Sequence, residues 1–181
     1  MPEPPRGFGR WLQLPLEGER WWSPCRAILI GIVGALINSA AIRFTQALGV
    51  QAGTGGFAKW FLAHLNLLLG TTLPLQLGPI RQEAFHTAVG VVSALIYAGL
   101  FYRLLPGPRW FRGLLYCQGM WAVQALVVLP WLGKGYLGLG ISTTAPVWSW
   151  SLNALFGLVI GALYFPARKK RPPTSNEAAK P

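Results

Sequence analysis

The chain has 181 residues, of which 52% are hydrophobic and only 12% charged, and its mean hydropathy is +0.40; this balance excludes an ordinary soluble domain and indicates an integral membrane protein. Sixteen Lys and Arg against five acidic residues, all of them Glu, give a formal charge of +11. In a soluble protein that charge would point to nucleic acid, but here most of it falls to one side of the apolar segments, so the expected partner is the bilayer and not a nucleic acid.

Residues 1–25 are Pro-rich and charged and lack the short apolar core and small-residue cleavage site of a secretory signal. They read as a cytoplasmic N-terminal segment. A helix needs about 20 apolar residues to cross roughly 30 Å of hydrocarbon, and four segments qualify: 26–48, 85–105, 112–132 and 146–165. Pro106 and Pro166 follow the second and fourth, where a missing N–H stops a helix; Pro146 sits where a first-turn proline costs nothing; Pro130 is expected to kink or end the third. Between the first two spans a Gly-rich turn leads into residues 57–70, apolar but too short to span, which predicts an interfacial or re-entrant helix. The tail 166–181 is basic, polar and Pro-containing, and is expected to be disordered. The expected fold is thus all-α: a polytopic four-helix transmembrane domain over 26–165, built as two hairpins.

Twelve basic residues precede span one, surround the loop between spans two and three, or follow span four, whereas Arg43, Lys59, Arg81 and Lys134 alone lie elsewhere. Because Lys and Arg are retained on the cytoplasmic side, both termini are expected there. Tryptophans mark the headgroup regions, with Trp21, Trp22 and Trp110 at the inner edge and Trp60, Trp131, Trp148 and Trp150 at the outer. Cys25 and Cys117 are too few for a disulfide framework and read as reduced packing residues.

Spans two and four share a pattern: His86-x3-Gly90-x3-Ala94-x2-Tyr97 and Asn153-x3-Gly157-x3-Gly161-x2-Tyr164 match at a constant offset of 67 residues. Both copies run in the same direction, so the two hairpins are expected to be related by an axis along the membrane normal. Aligning Arg26 with Arg112 pairs Asn38 with Gln124 but leaves the glycines of spans one and three out of step. Gly90, Ala94, Gly157 and Gly161 place small residues on one face of each helix, for close packing within the chain or between copies. Asn38, Ser39, Gln118 and Gln124 lie within spans and are each expected to find a polar partner inside the bundle.

A polar cluster is expected toward the outer face, comprising Arg43, His64, Glu83, His86 and Asn153, with Glu83 as the ion-pair partner of Arg43. Glu83-x2-His86 has the spacing of di-iron helices, but the carboxylates that such a site needs are missing. His64 and His86 together are the one candidate pair for a metal or haem iron, or for a pigment; no cofactor is otherwise expected. No carboxylate lies deep in a span, as a proton-coupled pump would need, and no hydrolase or phosphoryl-transfer motif is visible.

The run from His86 through Tyr97, the turn of Leu129, Pro130, Gly133 and Gly135, and the Gly-x3-Gly-x2-Tyr of span four resemble the YagU-like small four-helix inner-membrane proteins of bacteria. The resemblance implies the four-helix fold and a bacterial inner-membrane location, and it brings no activity with it. Asn153 departs from a symmetric two-histidine arrangement. Small extramembrane mass favours a non-catalytic accessory or scaffold subunit that packs against a membrane protein partner or forms a homo-oligomer. Two alternatives are a small oligomeric channel or transporter entered at the outer polar cluster, and a haem- or pigment-binding subunit.

Overall fold

The computed structural model describes residues 19–20, 22–50, 56–165 and 167–168. Four helices are long and apolar enough to cross a membrane: α1 (Pro24–Ala47), α3 (Pro79–Leu104), α4 (Arg109–Trp131) and α5 (Ala145–Leu163). The chain is therefore a multi-pass integral membrane protein. A shorter helix, α2 (Gly56–Leu69), lies between the first two spans. Its 14 residues amount to about 21 Å of rise, too little to span, and they run unbroken. Asn66 fixes the exit of α2, its amide donating to the Leu73 carbonyl at 2.9 Å and accepting from the Leu73 amide at 2.8 Å.

Prolines set the helix starts. Pro24, Pro79 and Pro146 occupy the first turns of α1, α3 and α5, where the missing N–H has no helical partner to lose. Helix α3 accordingly begins at Pro79, not at the first apolar residue Phe85, and carries Glu83 inside its second turn. In α4 the helix passes through Pro130 and stops one residue later at Trp131, after a π turn over Gln124–Val128. A proline ring presses on the carbonyl four residues back, and the wider turn relieves that contact. A second π turn, Tyr97–Phe101, lies near the end of α3. The turn after α4 uses left-handed backbone at Gly133 and Gly135, with φ of 69° and 71°.

Helix α1 packs along α3 and α4 along α5, giving the two expected hairpins, and α1 also meets α5. Both hairpins close on glycine. A Cβ added to Gly31 would lie 2.7 Å from the Val91 Cα, and one on Gly90 would lie 2.8 Å from the Ala35 Cβ. In the other hairpin a Cβ on Gly113 would strike the Gly157 carbonyl and lie 2.6 Å from the Gly161 Cα; one on Gly157 would lie 2.9 Å from the Cys117 Cβ. Gly31 thus stands to Gly90 as Gly113 stands to Gly157, and Ala35 corresponds to Cys117. The register of spans one and three is 82 residues, one helical turn away from the Arg26–Arg112 alignment, and in it Gly31 falls on Gly113 while Gly34 falls on Tyr116.

The halves of the bundle differ along its axis. At the end remote from α2, Tyr97, Tyr102, Tyr116 and Tyr164 form a buried cluster with Ala27, Ile30, Ala98 and Ile160. Tyr97 and Tyr164, equivalent by the repeat, meet edge to face with ring centroids 6.1 Å apart, an arrangement favoured by the ring quadrupoles. Arg112 is buried against them, donating to the carbonyls of Gly107 at 2.7 Å and Tyr102 at 3.0 Å. Both ends of the chain leave the bundle here: β1 (Glu19–Arg20) pairs antiparallel with β2 (Ala167–Arg168), and Arg26 donates to the Phe165 carbonyl at 2.8 Å. Cys117 is buried, as a packing residue would be, whereas Cys25 is exposed. The expectations for Trp21, for the bulk of segment 1–25 and for a disordered tail fall outside the described residues.

Candidate functional site

The half of the bundle nearer α2 is hollow. A cavity of about 190 Å³ lies between the hairpins, partly open to its surroundings. All four spans contribute: Asn38 and Ile42 from α1, His86 and Ser93 from α3, Gln124 and Cys117 from α4, Ser149 and Asn153 from α5, while Phe57 and Ala58 come from α2. His86 and Asn153, equivalent positions of the repeat, both face it. Matched positions of the repeat thus meet at two levels, His86 and Asn153 at the cavity and Tyr97 and Tyr164 in the tyrosine cluster.

The lining is apolar in its rings, Phe57, Phe85 and Phe156, and polar in amides, hydroxyls and one imidazole, with no Asp, Glu, Lys or Arg. Some of its polar groups are already engaged. Ser93 donates to the Tyr116 hydroxyl at 3.2 Å, Asn153 donates to the Ser149 carbonyl at 2.9 Å, and Ser149 receives the Trp121 indole N–H at 3.0 Å. Two are not: the Asn38 Oδ1 and the His86 Nε2 are buried without a hydrogen-bond partner. Both amide atoms of Gln118 share that condition, though Gln118 is not part of the lining. The expectation that each in-span amide would find a partner inside the bundle therefore fails for the Asn38 oxygen and for Gln118. An unmade hydrogen bond in a buried setting costs about 1–3 kcal/mol, and Gln118 carries that cost away from the cavity as well.

The predicted outer cluster divides into three places. His86 and Asn153 line the cavity. Arg43 and Glu83 pair beside it, Nη2 to Oε2 at 3.1 Å, and Ser39 hydrogen-bonds the same carboxylate. This pair is on the surface, with the Arg43 side chain 73% exposed. His64 is elsewhere: its ring sits between Trp60 and Trp131, centroids 4.4 and 4.8 Å away, and its Nδ1 donates to the Trp60 carbonyl at 2.9 Å. The two histidines thus do not converge on one cavity, and about 190 Å³ is below the roughly 300–1,000 Å³ usual for drug-sized ligands, let alone a haem. Among the described residues no group of three or more His, Cys, Asp or Glu gathers at one point.

Sequence reasoning left out Phe57, Phe85, Ser93 and Ser149 from the site. Their signal was faint, since serines and phenylalanines are ordinary in a membrane bundle; only the positions of Ser93 and Ser149 on the His86 and Asn153 faces, seven and four residues away, could have singled them out. Against family models, curated proteins and solved structures alike, the chain finds no match.

Proposed function

We propose that the chain is a small-molecule permeation unit of the membrane, taking its solute into the cavity between its two hairpins. The observation that carries this reading is the cavity of about 190 Å³ between the hairpins, lined by all four spans and by His86 and Asn153, equivalent positions of the repeat. Transporters built from repeated halves place their substrate at the repeat interface in the same way. The path belongs to a single chain, so the oligomer axis that a small channel would otherwise need is not required. Tyr97, Tyr102, Tyr116 and Tyr164 close the bundle at the far end, which makes this arrangement one with access from the α2 side. The accessory-subunit reading needs none of these features, and the apolar surface left on α1, α3 and α4 is what contact with lipid already demands.

The test uses a single engineered thiol. Asn153→Cys, with Cys25 and Cys117 replaced by Ser, is treated with a membrane-impermeant methanethiosulfonate in sealed, oriented vesicles. Reaction from one side is expected. Failure to react from either side, while a variant keeping only the exposed Cys25 does react, would show that no solute path reaches the cavity.

A further inference from the structure

We propose that the tyrosine end of the bundle binds the headgroup of an anionic phospholipid through Arg26 and Arg109, beside Phe165. The cavity and the permeation reading play no part in this. Helix α5 packs against both α1 and α4, and each of those helices lends an arginine from its first turn to the residue at which the chain leaves α5. The Arg26 guanidinium donates to the Phe165 carbonyl at 2.8 Å. The guanidinium carbon of Arg109 stands 4.6 Å from the centre of the Phe165 ring. Two positive charges from different hairpins thus converge on one residue.

Neither charge forms an ion pair with a carboxylate among the described residues. Arg26 spends one of its five N–H donors on Phe165, and Arg109, held by a ring face, spends none on a described residue. Both side chains are exposed, and because α1 and α4 both begin here, their amide dipoles add to the positive potential. Guanidinium forks fit phosphate oxygens two at a time. The surroundings decide between a lipid and a soluble phosphate. Phe165 itself is exposed, and so, within one turn of the arginines or of Phe165, are Ile28 and Leu29 on α1, Trp110 on α4 and Leu163 on α5. Acyl chains cover such a surface, whereas free phosphate leaves it bare; an exposed indole beside the charges marks headgroup depth. Basic pockets between spans bind anionic headgroups on the same principle.

The experiment is native mass spectrometry of the full chain in an uncharged detergent, titrated with phosphatidylglycerol, with phosphatidylcholine of the same acyl chains, and with glycerol 1-phosphate as the soluble anion. A saturable first adduct of phosphatidylglycerol is expected, at least about tenfold tighter than that of phosphatidylcholine, the scale set by two basic side chains at a membrane surface. Glycerol 1-phosphate is expected not to compete at the concentrations at which phosphatidylglycerol saturates. The double variant Arg26→Gln, Arg109→Gln is expected to lose the preference, whereas Lys169→Gln with Lys170→Gln, which removes the same charge from the segment after β2, retains it. Equal affinity for the two lipids would overturn the proposal. Competition by glycerol 1-phosphate would make the ligand a soluble anion and overturn the lipid, and an equal loss in the two double variants would show diffuse attraction with no site. Should the arginine double variant fail to fold, Arg109→Gln alone, which gives up no side-chain hydrogen bond to a described residue, decides: a loss of at least about threefold supports the site, and an unchanged preference overturns it.

Discussion

Arg43 and Glu83 show how much the setting of a charge matters. They form an ion pair at 3.1 Å, but the arginine side chain is 73% exposed, and pairs in that setting contribute about 0–1 kcal/mol because solvent screens them and both side chains must be held still. The expected outcome of a double-mutant cycle with Arg43→Ala and Glu83→Ala, read by thermal unfolding in detergent, is a coupling below about 1 kcal/mol. A coupling of several kcal/mol would mean that the bilayer desolvates the pair and that it is structural. The pairing itself was legible, since Glu83 is the one carboxylate in the chain between residues 20 and 176. What could not be read was its exposure, because whether a side chain near a span end turns inward or outward depends on helix rotation, which the helix neighbours set. The same holds for Asn38, expected to be satisfied within the bundle and found with its oxygen buried and without a partner.

Among the elements, the glycine crossings decide which helices can approach. At Gly113 an added carbon meets backbone of α5 on two sides, and at Gly157 it meets the Gly113 carbonyl at 2.6 Å. Backbone within a packed helix pair cannot step aside. At Gly99 the same carbon would meet the Trp22 ring at 2.9 Å, and a side chain at the bundle end can rotate. Gly113→Leu and Gly157→Leu are therefore expected to abolish monodisperse protein in size-exclusion chromatography, with Gly99→Leu retained. Equal tolerance at all three positions would remove the packing role assigned to the crossings. Spans two and four announced their crossing face through four matched residues, whereas in spans one and three the matching by Arg26 and Arg112 missed by one turn. A basic residue at a helix start reports the headgroup boundary; the crossing point is fixed by the small residue, and Gly31 and Gly113 sit at different depths from those arginines. The π turns had no such signal, apart from Pro130 beyond the second of them.

At the scale of the whole molecule the bundle has two unlike ends, and its orientation in the membrane decides what the cavity is exposed to. The pairing of Glu19–Arg20 with Ala167–Arg168 and the Arg26–Phe165 contact put both flanks of the bundle at the tyrosine end, while the cavity and α2 occupy the other. Among the described residues at the tyrosine end, Arg112 is committed to the Gly107 and Tyr102 carbonyls and Arg26 to the Phe165 carbonyl. Setting both aside leaves the imbalance intact, because of the four at the α2 end Arg43 is paired as well. By retention of Lys and Arg, the tyrosine end is expected in the cytoplasm and the cavity toward the outside. Single-cysteine variants at Ser175 and at Asn153, without Cys25 and Cys117, separate the two parts of this expectation when labelled from each side of intact cells and inverted vesicles. Ser175→Cys is expected to react from the cytoplasmic side and Asn153→Cys from the outer side. An exchange of the two would reverse the orientation while keeping the bundle, since the Phe165 exit and the cavity lie toward opposite ends of it. Reaction of both from one side would contradict the geometry itself, because the α2 end and the chain ends would then share a face of the membrane.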